Sequence, residues 1–306
     1  VTATTEERTD TVEPADLVLT ADATRPVRRV ADVVFRVLLY ACLGVALVTL
    51  ATLLVTVFSD GQSRLSWDLF TQFPSSRPAR AGFRSAIFGS LWVVGLTSII
   101  SLPLGVASAV YLEEFARKDR WYNRAIELNI MNLAAVPAVV YGILGLAFIA
   151  RGPLSLGFTV TTAALILTLV VLPTVIISTR EALRAVPPSI REGALALGAT
   201  RWQTIWRQVL PAAVPGIATG SILSVSRALG ESAPLLLTGA LTFITFNPTG
   251  LDSAYTVMPI AIFNYTSQAK SGFLELAAAG IVVLLCMLLI LNGAAIYIRN
   301  HFERRW

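Results

Sequence analysis

Six stretches of this 306-residue chain are apolar for long enough to cross a bilayer as α-helices, and no other feature restricts the fold as strongly. They run approximately over Val37–Phe58, Ala86–Tyr111, Leu128–Ala150, Thr159–Ser178, Ala212–Leu237 and Leu274–Ile298. Crossing ~30 Å of hydrocarbon takes roughly 17–25 helical residues. The runs are continuous rather than alternating at every second residue, so β-barrel strands are excluded. Composition agrees: 55% of residues are hydrophobic and 14% charged, against about 45–50% and 25% in a soluble domain. The expected fold is an all-α membrane protein with six transmembrane helices.

Basic residues orient the spans, because Lys and Arg gather on cytoplasmic flanks. Seventeen fall on one side, including Arg28, Arg29, Arg117, Arg120, Arg180, Arg191 and Arg299; six fall on the other, and Arg227 lies inside a span. Both termini are therefore expected in the cytoplasm. The net charge of +5 is accounted for by anionic lipid headgroups and needs no nucleic acid. Residues 1–33, rich in Thr, Asp and Glu, bury too little apolar surface to offset the entropy of ordering and read as a flexible tail. A cleaved signal peptide is disfavoured, since the tail is acidic and the run after it is of full spanning length. Residues 34–300 form the membrane domain and 301–306 a basic tail. Cys42 and Cys286 both lie in apolar runs, and the lone His301 sits in that tail, so neither a disulfide framework nor a metal site is indicated.

Between the fourth and fifth spans lies a polar stretch, REGALALGATRWQTIWRQVLP, from Arg191 to Pro211. Ser189 to Glu192 reads as a capping box that starts a helix after Pro187-Pro188. Ile190, Ala194 and Leu197 share a face, and Gly198 supplies a left-handed terminator. Thr200 to Gln203 is a second box, followed by Trp202, Ile205, Trp206 and Val209 at helical spacing; Pro211 interrupts before the next span. The expected product is helix, sharp turn and helix, which suits protein docking. The alternative is an amphipathic segment lying on the membrane with tryptophans at headgroup level.

Glu192, Gly198, Leu210 and Pro211 match the spacing of the cytoplasmic loop of bacterial ABC importer permeases, with Gly193 in place of that loop's first Ala and Gln208 in place of an apolar residue. The stretches NLAAVPAVVYGILGLAF, LPTVIISTREALRAVP and SRALGESAPLLLTGAL resemble the phosphate-specific importers, most of all their A-type permeases, over about Phe83 to Ile298. That resemblance implies a type I permease fold whose coupling loop, near residues 179–213, docks on a separate cytoplasmic ATPase through Glu192, Ala194, Leu197, Gly198, Ala199, Thr200, Arg201 and Trp202. It further implies a related C-type permease as the other half of the path, an extracytoplasmic phosphate-binding protein, and residence in the bacterial plasma (inner) membrane.

No phosphate-cradling G-x-x-x-x-G-K-[ST] loop occurs; the only lysines, Lys118 and Lys270, follow Arg117 and Ala269. ATP hydrolysis therefore belongs to a partner. One histidine leaves no catalytic or metal-ligand set, so no cofactor is expected. In the fifth span, Arg227 and Glu231 are spaced one helical turn apart. Charges at membrane depth usually face a bundle interior or a water-filled path, and Pro234 should kink the helix beside Glu231. These two residues are the candidate solute path: Arg227 would meet the passing phosphate, while Glu231 would hold Arg227 or accept a hydrogen bond from a protonated phosphate oxygen. The competing reading is that the pair neutralises itself and pins helix packing. At family level the alternatives are a permease for another oxyanion or polar solute, or a secondary transporter independent of ATP. Asn132 is expected to bond across helices, and Glu275, at the outer end of the last span, to be solvated.

Overall fold

The computed structural model describes residues 26–117, 119–241 and 243–302. Most of the expected tail and residues 303–306 lie outside them, as does the His301 side chain. Within that tail, Pro26 already opens α1 (Pro26–Gly61), so the helix begins eight residues before position 34. Proline suits a first helical position, where its missing N–H costs nothing. The chain divides after Val55 into two units. The first holds most of α1, whose apolar run is long enough to cross a membrane.

In the second unit, α2 (Asp68–Thr71) leads to the long α3 (Arg84–Val110), which continues as a π turn through Tyr111–Phe115. α4 (Trp121–Ala135) and α5 (Ala138–Leu144) follow, with a second π turn at Gly145–Ala150, and then α6 (Val160–Arg184). α7 (Pro188–Ala196), α8 (Arg201–Thr204), a π turn at Ile205–Val209 and α9 (Leu210–Gly230) come next. α10 (Ala233–Leu237), α11 (Met258–Thr266) and α12 (Ser271–Phe302) complete the order. Among the described residues, five helices are long and apolar enough to span a membrane, and the bent pair Trp121–Ala135 with Ala138–Ala150 makes a sixth crossing if counted as one.

The third apolar run is not a straight rod, because its two parts meet at 102°. Pro137 has no N–H to give the carbonyl of Leu133, its partner four residues back. That carbonyl is taken instead by the backbone N–H of Val136 at 3.2 Å and by the Tyr141 hydroxyl at 2.7 Å. Asn132, beside this bend, is exposed, and its side chain makes no hydrogen bond to another helix among the described residues. Pro103 and Pro173 behave differently: both sit inside unbroken helices.

α6 is the central element. Its Val160, Ala163, Ile166, Leu167, Val175 and Leu183 are fully buried, and α3 and α9 both pack along it. At one end, Phe83, Met258, Tyr265, Phe273 and Leu276 form an apolar cluster. Arg64 there pairs with Glu275 at 3.2 Å, so Glu275 is partnered rather than simply solvated. The segment before α11 lies over the start of α6, where Val160 donates to Ser253 O at 3.1 Å, and Ser90 of α3 accepts from the N–H of Met258 at 2.9 Å. At the other end, Val110, Leu183, Val186, Ile205 and Val209 form a second cluster beneath α7 and α8. The segments counted as cytoplasmic around residues 117, 180 and 191 thus gather at one end. Large side chains such as Ile99, Leu104, Leu223 and Ile290 stay exposed on the helix exteriors, as lipid-facing or partner-facing residues do.

Candidate functional site

The polar stretch folds as helix, turn and helix, with a different beginning from the expected one. α7 is capped by Pro187 with Pro188 in its first turn, and no side chain caps it. Ser189 is already helical, two residues past the cap position, so the first capping box does not form and Glu192 stays exposed. The prolines replace it, because each has a backbone angle preset for helix entry. The second box forms in full: Thr200 Oγ1 accepts from Gln203 N at 3.3 Å, and Gln203 Oε1 accepts from Thr200 N at 2.9 Å.

Between them, Gly198 has φ +83°. Its N–H donates to Leu195 O at 2.9 Å and that of Ala199 to Ala194 O at 3.1 Å, the paired bonds of a Schellman ending. The turn projects from the bundle. Leu197 is 91% exposed, whereas Ala194 and Ala199 are half-buried. Leu197 is thus a large apolar side chain left open at the tip of the turn. Pro211 does not interrupt the next span: the π turn at Ile205–Val209 carries the backbone into α9, where Pro211 occupies the first turn. The expected apolar stripe divides there. Ile205 and Val209 are buried, while Trp202 and Trp206 stay 58% and 49% exposed. Trp202 lies 5.8 Å from the Phe115 ring and 5.3 Å from Trp206, and Arg201 lies 5.8 Å above Phe115.

The fifth span breaks rather than kinks. α9 ends at Gly230, Glu231 is extended (φ −79°, ψ 116°), and α10 starts at Ala233. Pro234 cannot donate to the Gly230 carbonyl, which removes the bond that would carry the helix past Glu231. Arg227 and Glu231 are therefore not neighbours on one helix face, and no ion pair joins them among the described residues. Glu231 does not hold Arg227, nor do the two neutralise each other. Arg227 is exposed in the last turn of α9, Glu231 is half-buried at the break, and the adjacent Ser226 shares a hydrogen bond with Asn292 of α12.

Sequence reasoning missed a charged network beneath the turn. Arg180 bonds Glu113 at 3.2 Å and Glu127 at 2.7 Å; Arg184 bonds Glu113 at 3.0 Å; Arg191 bonds Glu114 at 2.7 Å. In the sequence, Arg180 and Arg184 signal only the orientation of the spans. The doublet Glu113-Glu114, at the end of an apolar run, was the signal available.

Residues 101–306 match the family described as binding-protein-dependent transport system inner membrane component. The chain is 33% identical to the probable ABC transporter permease protein YqgI of Bacillus subtilis, over 82% of this chain and 90% of that protein. It is 32% identical to the phosphate transport system permease protein PstA of Haemophilus influenzae, over 87% and 92%. Among solved structures, a bacterial alginate ABC transporter in complex with its alginate-bound periplasmic protein aligns with TM-score 0.64 at 21% identity, over 90% of this chain and 96% of that one. The MetNI methionine ABC transporter aligns with TM-score 0.58 at 19% identity, over 75% and 100%. These alignments confirm the expected permease fold. The chain belongs to the inner membrane permease components of binding-protein-dependent ABC transport systems.

Proposed function

We propose that this chain forms half of the membrane path of an ATP-driven importer of inorganic phosphate, with both termini in the cytoplasm. Its partners would be a related C-type permease, a dimeric ATPase bound at the Glu192–Trp202 turn, an extracytoplasmic phosphate-binding protein and the surrounding lipids. The observation that carries this reading is the projecting, Schellman-closed turn with Leu197 at its tip. The phosphate transport permeases among the relatives support the choice of solute.

In this reading Arg227 meets the phosphate, and Glu231 accepts a hydrogen bond from a protonated phosphate oxygen. Free of each other, both charges are available to the solute. A fully deprotonated oxyanion such as sulfate would set acceptor against acceptor at Glu231, which disfavours it. The test is uptake of labelled phosphate and sulfate into vesicles holding the assembled complex. Arg227→Ala should abolish phosphate uptake, and Glu231→Gln should lower the preference for phosphate over sulfate. Normal uptake and selectivity in both variants would remove the two residues from the path.

A further inference from the structure

Glu113 and Glu114 are consecutive residues of the π turn that ends α3, and they pair in different directions. Glu113 takes Arg180 and Arg184 of α6. Glu114, 7% exposed, takes both Nη2 and Nε of Arg191 of α7, at 2.7 and 3.2 Å. Arg191 also donates to Val186 O and Leu183 O, each at 2.8 Å. The Leu183 carbonyl lacks its usual donor four residues on, because Pro187 has no N–H, and takes only a long 3.3 Å bond from Val186 N beside the guanidinium. One guanidinium thereby joins the docking helix α7, the end of α6 and the end of α3. The rest of α7 offers little else to hold it: Ile190 and Ala194 are half-buried and its other residues are exposed, apart from Arg191 itself.

We propose that Arg191 and Glu114 are the positioning pair that passes movement of α7 into α3. The inference rests on the reading of α7 as the element docked on the ATPase. Arg191 suits this task because its planar fork fixes direction as well as distance. A force on α7 reaches α3 through two charge-assisted bonds to a buried carboxylate, whereas a purely apolar contact would slide.

The test uses the complete complex in proteoliposomes, with Arg191→Lys and the neutral double variant Glu114→Gln/Arg191→Gln. The double variant leaves no lone charge behind and so separates coupling from folding. The expected result is ATP hydrolysis near the wild-type rate with phosphate taken up per ATP lowered about fivefold, the size of effect known for residues along a coupling route. A second readout needs no solute: ATP should change amide exchange at residues 106–115 in the wild type and leave it unchanged in the double variant. A pair serving stability alone would reduce assembly and lower both activities in proportion. Wild-type uptake per ATP, or a wild-type ATP response at residues 106–115, in the double variant would overturn the proposal. A wild-type complex that hydrolyses ATP and shows that exchange response without moving phosphate would overturn the solute reading alone.

Discussion

A β-carbon on Gly142 would stand 2.7 Å from the α-carbon of Pro234, so α5 and α10 meet backbone to backbone just beyond the break at Glu231. Because the neighbour is main chain, no side-chain rotation can make room. Gly142→Ala must push α10 away, at the ~1–3 kcal/mol usual for overpacking. The variant should melt at a lower temperature and transport phosphate more slowly. Gly95→Ala, with nothing within 4 Å, is the control and should behave as wild type. Equal melting of the two variants would show that this contact does not hold the break.

The Arg180–Glu113 pair, each side chain 7% exposed, leads to a second expectation. Truncating one member of a buried pair costs about 3–5 kcal/mol when the other is stranded. Here Arg184 stays with both carboxylates that Arg180 would strand, 3.0 Å from Glu113 and 3.8 Å from Glu127, so Arg180→Met should cost less, about 2–3 kcal/mol. Adding Glu113→Gln should restore part of that loss. Denaturant unfolding of the four proteins in a double-mutant cycle measures the coupling, and additive losses would show that the two side chains do not interact.

Apolar run length was enough to place the spans, because membrane depth demands it of any helix. It could not separate a straight helix from the 102° bend after Ala135, where the deciding fact is which carbonyl Pro137 leaves open and that Tyr141 can reach it. Local capping grammar found the turn at Gly198 and the Thr200–Gln203 box, since both depend on bonds within a few residues. It failed at Ser189, where two preceding prolines had already started the helix. Spacing also suggested a pair at Arg227 and Glu231, which presumes a continuous helix that ends at Gly230. The network of Glu113, Glu114, Glu127, Arg180, Arg184 and Arg191 was illegible for a different reason. Its partners are 53 to 77 residues apart, and only packing chooses among them.

Tyr265 provides a test by pH. Its hydroxyl donates to Gly82 O at 3.0 Å, and burial raises its pKa above the ordinary 10.0. A proton held more tightly in the folded chain contributes its full stability below the unfolded value and loses it as pH climbs towards the raised one. Melting temperature should therefore fall as pH rises above 10.0. Tyr265→Phe should be less stable than wild type at neutral pH by about 1 kcal/mol, the worth of one hydrogen bond, and should lose less on the alkaline side. Parallel curves for the two proteins would rule Tyr265 out as the group responsible.

Gly198 offers the sharpest test of the docking turn. At φ +83° a β-carbon crowds the carbonyl oxygen, which costs about 1–2 kcal/mol for residues other than glycine. Nothing lies within 4 Å of the site, so the penalty of Gly198→Ala arises from the backbone alone and leaves the bundle intact. Relieving the strain would unwind the Schellman bonds from Gly198 and Ala199, freeing Leu197 to wander. Asn tolerates the left-handed region better than Ala, so Gly198→Asn should fall between Ala and wild type. The measurement is ATPase retained on purified complexes, with span integrity checked by thermal melting. Retention in the order Gly, Asn, Ala at unchanged melting temperature is expected. If all three held the ATPase equally, a rigid turn would not be what the ATPase recognises, and docking would have to rest on the flanking helices.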